Sequence, residues 1–587
     1  MANECSFSSN NRNNYDIGLK PFNHDKKRGK WECSTDFFYA CLGHAFKIDA
    51  MMVLPSMVFK NLGVCLIIPY FVIMALCVVP IVMIQSFLGQ FSSTGLISVF
   101  RIAPLFKGIG YVSLAINLTQ LTYYTVFAAI PLFYFLHSLR PTMPWSCEGS
   151  KFWMDPNATV TTPCNIADLQ DPPGTEVFMR VPSLEFFSQH MNIIHYLESK
   201  PPATFSWSLI VFTFFIWTIV GSIVSKPTEM IGRYIRYTCT AVLIIMGLCL
   251  LRFLFLPGAL EGVSTFFRPK KPQDIKSWLF LGMLVLSTLG PGWGSILSMA
   301  SYNRFKTNIS KYSWFLGLAQ FVVIASTAFL QILVTNHMNR SNPDLIRFRN
   351  DERQWLEFLS IPSALAFLEL PNLWSMLYFA MLILGAMNLV VVQLFSVLTT
   401  LFDEYENLRA MKREVTWMTV GTLSLFSTYF CSNHGIMFFE VVTEFSVLTQ
   451  MFLNLLLLFV ILWVYGRERF QRDLRFMTGH MYATWMIYIV RFITPIFLIV
   501  GFVVGFIIAV VLDENYSKIV LYIVTSITIL PWLLIPFVCI RMLRQSNEVK
   551  LSRRLRKLTT PTNWCPGDSV YRHQYELTFP NLETSLN

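Results

Sequence analysis

The 587-residue chain is 54% hydrophobic but only 14% charged, with 52 phenylalanines and a net charge of +11. A soluble domain would carry roughly a quarter charged residues, so composition excludes a soluble enzyme or scaffold. The excess cations sit in alternate connections between apolar runs, a pattern that sets membrane topology and does not indicate a nucleic-acid partner.

The N-terminal segment is polar, with no apolar run before Phe37. No cleavable signal peptide is expected, and the first span must itself start insertion. Apolar runs near the ~20 residues that cross a bilayer follow at 36–58, 64–90, 109–137, 204–225, 234–256, 274–299, 312–335, 373–402, 415–431, 437–465, 482–511 and 517–541. They predict an all-α polytopic membrane protein of about twelve transmembrane helices. The short alternating strands of a β-barrel are absent. Basic residues such as Lys26, Lys27, Arg101, Lys107, Arg233, Arg304, Lys412, Arg467 and Arg544 place their connections, and both termini, in the cytosol.

The long connections 138–203 and 336–372 then face outward. In the first, Cys147 and Cys164 flank the sequon at Asn157. An oxidising exterior suits both a glycan and a disulfide, so a Cys147–Cys164 bridge is expected. Asn339 and Asn515 begin further outer sequons. The other ten cysteines show no metal-ligand spacing and read as small packing residues.

No nucleotide-binding glycine loop is present, which argues against an ATP-driven pump. Two apolar runs carry interruptions. In LSTLGPGWGSILSMASYNRF, residues 286–305, Gly290, Pro291, Gly292 and Gly294 cannot sustain a regular helix. Within a bilayer such backbone is tolerated only where protein buries it or a cavity needs it. Interrupted helices at matching places in two halves point to the binding site of a secondary transporter. The counterpart is GHAFKIDAMMVLP, residues 43–55, where Lys47 and Asp49 lie in the middle of an apolar span. A charge at that depth costs about 3 kcal/mol or more and usually marks a site or a pairing.

A series of motifs carries a resemblance: RGKW at 28–31, FLGQ at 87–90, PLFKGIGY at 104–111, TYY at 122–124, TLGPGWG at 288–294, ASYNRF at 300–305, LFDEY at 401–405 and WVYGRERFQRDLRFM at 463–477. In order and spacing they resemble the neurotransmitter:sodium symporter family. The resemblance implies two inverted five-helix repeats of the bacterial leucine transporter type plus two further helices. Here that means a cytosolic segment at 1–35, repeats at 36–256 and 257–465, two last helices within 466–541 and a cytosolic tail at 542–587. It also implies a plasma-membrane location and a midplane site for a small amine or amino acid, with sodium and often chloride beside it.

Several positions depart from the family pattern. Lys47 and Asp49 replace the glycines of an unwound GLG, and Ala50 replaces a sodium-binding asparagine. Val53 and Thr443 replace the outer gate pair. The resemblance places the first ion site at Ala45, Thr288 and Gln320, and the second at Gly43, Phe46, Gly385 and Asn388. Tyr70 and Thr288 remain from a chloride site in which Leu284 and Ile324 cannot coordinate an anion. Sodium is therefore possible with altered coupling, and chloride is not expected.

The resemblance lines the pocket with Lys47, Asp49, His44, Gln120, Tyr124, Ser287, Leu289, Gly290 and Trp293. Three roles stand open for Lys47: a tethered substitute for a cation, a partner for a substrate carboxylate beside Tyr124, or an internal pair with Asp49. The pair could also close a dead pocket. His44 is either a packing residue or a proton carrier, and Trp293 either wall or contact. Arg28, Trp31 and Asp403 match the family's inner gate, although Arg28 alone could be a topological cation. The expected function is secondary transport of a small amino-acid-like or amine solute, with only that solute and lipid as partners. The rival is a non-transporting member acting as a membrane partner or sensor. No catalytic constellation appears, and an enzyme is not expected.

Overall fold

The computed structural model describes residues 23–47 (except 26), 51, 67–150, 204–261, 294–341, 356–507 (except 367) and 528–579 (except 547), with isolated positions 183, 186, 187, 263, 281, 282, 285, 286, 290, 525 and 526. The described residues are mainly helical, with one isolated β-bridge between Phe205 and Ser432. Helix α1 (Ser34–Leu42) runs into a 3-10 turn, Gly43–Phe46. Then come α2 (Ile67–Ser92), α3 (Gly108–His137), α4 (Trp207–Val224), α5 (Thr228–Leu254), α6 (Ser295–Ala300) and α7 (Ile309–Ser341). The second half holds α8 (Pro371–Glu404), α9 (Lys412–Ser427), α10 (Asn433–Phe459, continued by a π turn and Arg467–Thr478), α11 (Thr484–Ile507) and α12 (Leu534–Gln545). Two tail helices follow, α13 (Leu551–Thr559) and α14 (Ser569–Thr578).

Seven helices among the described residues are long and apolar enough to cross a membrane: α2, α4, α5, α7, α8, the long α10 and α11. The expected count of twelve is not reached by that measure. Two causes are visible. The first and sixth spans are interrupted, and parts of them lie outside the described residues. Helix α3 is long enough, at about 45 Å, but carries Gln120, Thr122, Tyr123, Tyr124 and Thr125 on buried positions, which lowers its hydropathy.

Burial orders the helices from centre to periphery. In its apolar stretch α8 is 89% buried, whereas α5 and α11 are 28% buried. A helix apolar all round belongs in a core or a membrane, and α8 packs along α3, α5 and α4 at the centre. The outer helices turn Val211, Phe215, Ile244, Leu248, Ile496 and Val503 outward, as lipid contact requires. The connection 336–372, expected to be loop, instead extends α7 to Ser341 and forms a short helix, Leu356–Ala366. Cys33 is exposed at the start of α1 and is not a packing residue, whereas Cys41, Cys77, Cys239, Cys249 and Cys431 are buried. Cys164, Asn157 and Asn515 lie outside the described residues. Asn339 falls in the last turn of α7.

The tail returns to the membrane domain. Asp473, wholly buried, accepts hydrogen bonds from Tyr465, from Tyr575 at 2.8 Å and from Trp564 Nε1 at 3.2 Å, and pairs with Arg472 at 3.2 Å. Trp564 stacks on Phe91, and Tyr571 on Phe305. Arg472 keeps 28% of its side chain exposed, so loss of Asp473 acts mainly through the Tyr465, Tyr575 and Trp564 donors it leaves buried and unbonded, about 1–3 kcal/mol each. Asp473→Ala should therefore release the tail: amide exchange across 564–579 should accelerate while exchange in α8 stays unchanged.

Candidate functional site

The interruption in the first span is explicit. Gly43–Phe46 tightens into a 3-10 turn, and Lys47 leaves the helix at φ −59°, ψ 140°. Lys47 is 1% exposed. Its Nζ lies over the ring of Tyr124, 5.8 Å from the centroid, a cation–π distance. Its carbonyl accepts from Met51 N at 2.8 Å. Ala45 and Phe46 are fully buried beside it. Asp49 and Ala50 lie outside the described residues.

Helix α8 lies against this backbone at Gly385, where a side chain would crowd Phe46. A Cβ there would stand 3.0 Å from Phe46 Cβ and 3.1 Å from Phe46 O, and one at Gly43 would meet Asn388 Cβ at 3.6 Å. Gly43, Phe46, Gly385 and Asn388 are thus brought together. The Asn388 carboxamide is already engaged: Thr238 bonds its Oδ1, and its Nδ2 reaches Cys239 Sγ at 3.4 Å. Those contacts tie it to α5.

The second interrupted span has Gly290 at φ +62° and Gly294 at φ +80°, backbone that favours glycine. Gly294 starts α6. Its neighbours Ser287, Thr288, Leu289 and Trp293 lie outside the described residues. Two glutamines serve the broken backbone. Gln320 Nε2 donates to Val285 O and Gln450 Nε2 to Leu286 O, each at 2.9 Å. Buried carbonyls freed by a helix end need such donors. Gln320, read above as an ion ligand, therefore has a structural duty as well. Gln450 escaped the sequence reading. An amide inside an apolar run was its only signal.

Other pocket candidates are scattered in their bonding. Gln120 Oε1 accepts from Gln393 Nε2 at 2.7 Å, a partner on α8 missed by the sequence reading. His44 is fully buried, yet among the described residues neither ring nitrogen has a hydrogen-bond partner. That is not the state of a satisfied core histidine. The buried Tyr70 hydroxyl likewise lacks a hydrogen-bond partner, and its ring packs on Phe321.

From the break toward the termini, α8 presents a polar row to its neighbours. Ser396 donates to Ser298 Oγ at 2.8 Å, Thr399 Oγ1 lies 2.7 Å from Tyr302 OH, and Thr400 Oγ1 accepts from Leu96 N at 3.3 Å. The row ends on Asp403, which pairs with Arg28 at 2.6 Å and accepts from Gly95 N at 2.7 Å. Arg28 also donates to Ser93 O and Ser301 Oγ, and its guanidinium lies 4.6 Å over the Tyr302 ring. Trp31, 3% exposed, donates to Met299 O at 2.9 Å and packs on Tyr302 and Phe395. Arg28, Trp31 and Asp403 thus close this end between α1, α6 and α8. Just before it, burial and then Arg101, Arg572, Arg28 and Arg409 hold the His24 imidazole down at about 3.

Comparison with known proteins adds to this geometry. A family model described as the sodium:neurotransmitter symporter family matches residues 28–546. A sodium- and chloride-dependent creatine transporter of Bos taurus is 26% identical over 484 residues, covering 80% of this chain and 75% of the relative. A sodium- and chloride-dependent neutral and basic amino acid transporter B(0+) of Mus musculus is 25% identical over 495 residues, with 79% and 76% covered. A sodium-dependent dopamine transporter of Bos taurus is 26% identical over 488 residues, with 81% and 69% covered.

Two predictions follow from the closed end. Asp403→Asn strands the buried Arg28 charge at a cost of about 3–5 kcal/mol, so this end should open more often. A cysteine at Ser396, in a background without other reactive cysteines, should then label faster with a membrane-impermeant thiol reagent applied from that side. The neutral His24 is docked, and the free imidazole protonates near 6.5. Docking of 23–31 should therefore be complete above that value and weaken as pH falls below it. Amide exchange of this segment should show that trend, and His24→Gln should abolish it.

Proposed function

The chain belongs to the sodium:neurotransmitter symporter family, a multi-pass membrane transporter, and on that premise we propose that it carries a small amino-acid-like solute whose carboxylate meets Lys47. The observation that supports this reading is the Lys47 ammonium itself, buried at the helix break and aimed over Tyr124. A fixed cation at this position attracts an anionic group and repels a mobile cation. Both effects point the same way: the solute carries a carboxylate, and sodium coupling at the first ion site is altered. Gln120 and Gln393 add polar edges on the adjoining helices.

In this reading the termini are cytosolic and the plasma membrane is the location. The unit holding α1 and α6 rocks against a scaffold that includes α3 and α8. Release to the cytosol requires the Arg28–Asp403 pair to separate and the polar row of α8 to hydrate. Sodium remains a candidate at the second site through backbone oxygens of Gly43 and Phe46. Weak chloride dependence is part of the same reading. It rests on Ile324, buried and unable to coordinate an anion, and on Gln320, whose amide is committed to Val285.

The test is an uptake screen in cells with verified surface expression. Amino acids and their decarboxylated amines are compared, with sodium and chloride each replaced. A carboxylate-bearing solute should be taken up in preference to its amine, and chloride replacement should change little. A charge-assisted hydrogen bond contributes about 1.5–3 kcal/mol. Lys47→Gly should therefore lower carboxylate uptake by about 10- to 100-fold and make the remainder more sodium-dependent. Unchanged uptake and ion dependence in that variant would refute the role of Lys47. No uptake of any solute by surface-resident protein would favour a non-transporting partner or sensor instead.

A further inference from the structure

The inner end of α12 and helix α13 form a basic, partly apolar surface that the transport reading does not use. Leu533, just before α12, and Phe537 and Ile540 on it are 60%, 62% and 50% exposed and share one face at helical spacing, as lipid contact requires. One turn beyond Ile540 on that same face stands Arg544, exposed, with Arg541 beside it. The change from apolar to cationic along one stripe marks the membrane–water boundary at this level.

Helix α13 is held at this boundary. Its Leu558 is wholly buried in a small cluster with Val538 and Met542 of α12, and Arg554 donates to Leu543 O at 3.3 Å. Leu551, Leu555 and Leu558 fall on one face of α13, but only Leu558 is covered. Leu555 is 38% exposed, Leu551 61%, and Val549, just before the helix, 91%. The apolar stripe thus continues past the protein into whatever surrounds the end of α12. Around it Lys550, Arg553 and Arg556 are exposed. The acid within this turn, Glu548, is paired with Lys557 at 3.3 Å. Five exposed cations, Arg541, Arg544, Lys550, Arg553 and Arg556, therefore flank three exposed apolar side chains at the depth of the headgroups.

We propose that α13 is an interfacial helix that binds anionic phospholipid of the cytosolic leaflet, Leu551 and Leu555 entering the acyl boundary and the five cations contacting phosphate groups. A short amphipathic helix with cations flanking its apolar stripe has this chemistry, and clusters of four to eight cations directly after a span attract anionic lipid. The proposal rests on the cytosolic placement of the tail. An epitope after residue 579, probed in intact and permeabilised cells, checks that placement separately and without regard to solute transport.

The experiment is amide exchange on the full-length protein in nanodiscs. One set holds phosphatidylcholine alone, and the other adds roughly a third phosphatidylserine. Exchange across 549–557 should slow at least about tenfold in the anionic discs, and roughly 0.5 M salt should remove much of the difference by screening. The combined variant Arg541→Gln, Arg544→Gln, Arg553→Gln, Arg556→Gln should lose the lipid dependence while exchange at 564–579, the segment anchored on Asp473, stays as in the parent. Equal exchange in both disc types overturns the proposal, as does lipid dependence that survives the combined variant. Protection produced only by an added acidic protein such as calmodulin, and not by lipid, also overturns it and assigns the surface to a protein partner. If the combined variant fails to fold, the lipid and salt comparison on the parent protein decides.

Discussion

The structure is organised around a lysine held in the middle of a membrane domain at a place where its own helix stops. A cation at that depth is tolerated only when something compensates its lost hydration. Among the described residues, the face of Tyr124 lies within cation–π distance of the Lys47 ammonium. The break itself needs protein on every side, because unpaired backbone cannot face lipid. That requirement explains why α8 is the most buried of the membrane-length helices and why glycine stands at 385, where it lies against Phe46.

The second break shows the same economy of donors. Gln320 and Gln450 each give an amide hydrogen to a carbonyl where the sixth span ends its first half. The two amide nitrogens are thereby drawn into supporting the fold. Asn388 is committed in the same way to Thr238 and Cys239. Two positions that the resemblance places at ion sites, Gln320 and Asn388, thus bond to other parts of the protein.

At the other end of α8 the polar row terminates in the buried Arg28–Asp403 pair. The tail reaches the same region by an independent route, through Asp473 and the stacked Trp564 and Tyr571. Four elements far apart in sequence, around residues 28, 95, 301 and 403, converge on Arg28 and Asp403. Any movement that opens this end must break charge-assisted hydrogen bonds in several of them together, so it is expected to be cooperative.

The chain alone established what depends on local pattern. Long apolar runs state that helices cross a membrane, because every backbone polar group there must bond within its own segment. The cluster Gly290, Pro291, Gly292, Gly294 states where a helix cannot continue, because glycine and proline fail in helix interiors. A cation at residue 47 is anomalous in any apolar run. Only the tertiary structure decided which distant side chains meet. The bonds of Gln393 to Gln120, of Gln450 to Leu286, and of Asn388 to Thr238 join residues about 150 or more positions apart. Nothing in the local sequence around a buried amide names its partner. That choice is made when packed helices leave one donor within reach of one acceptor, which is a property of their arrangement in space.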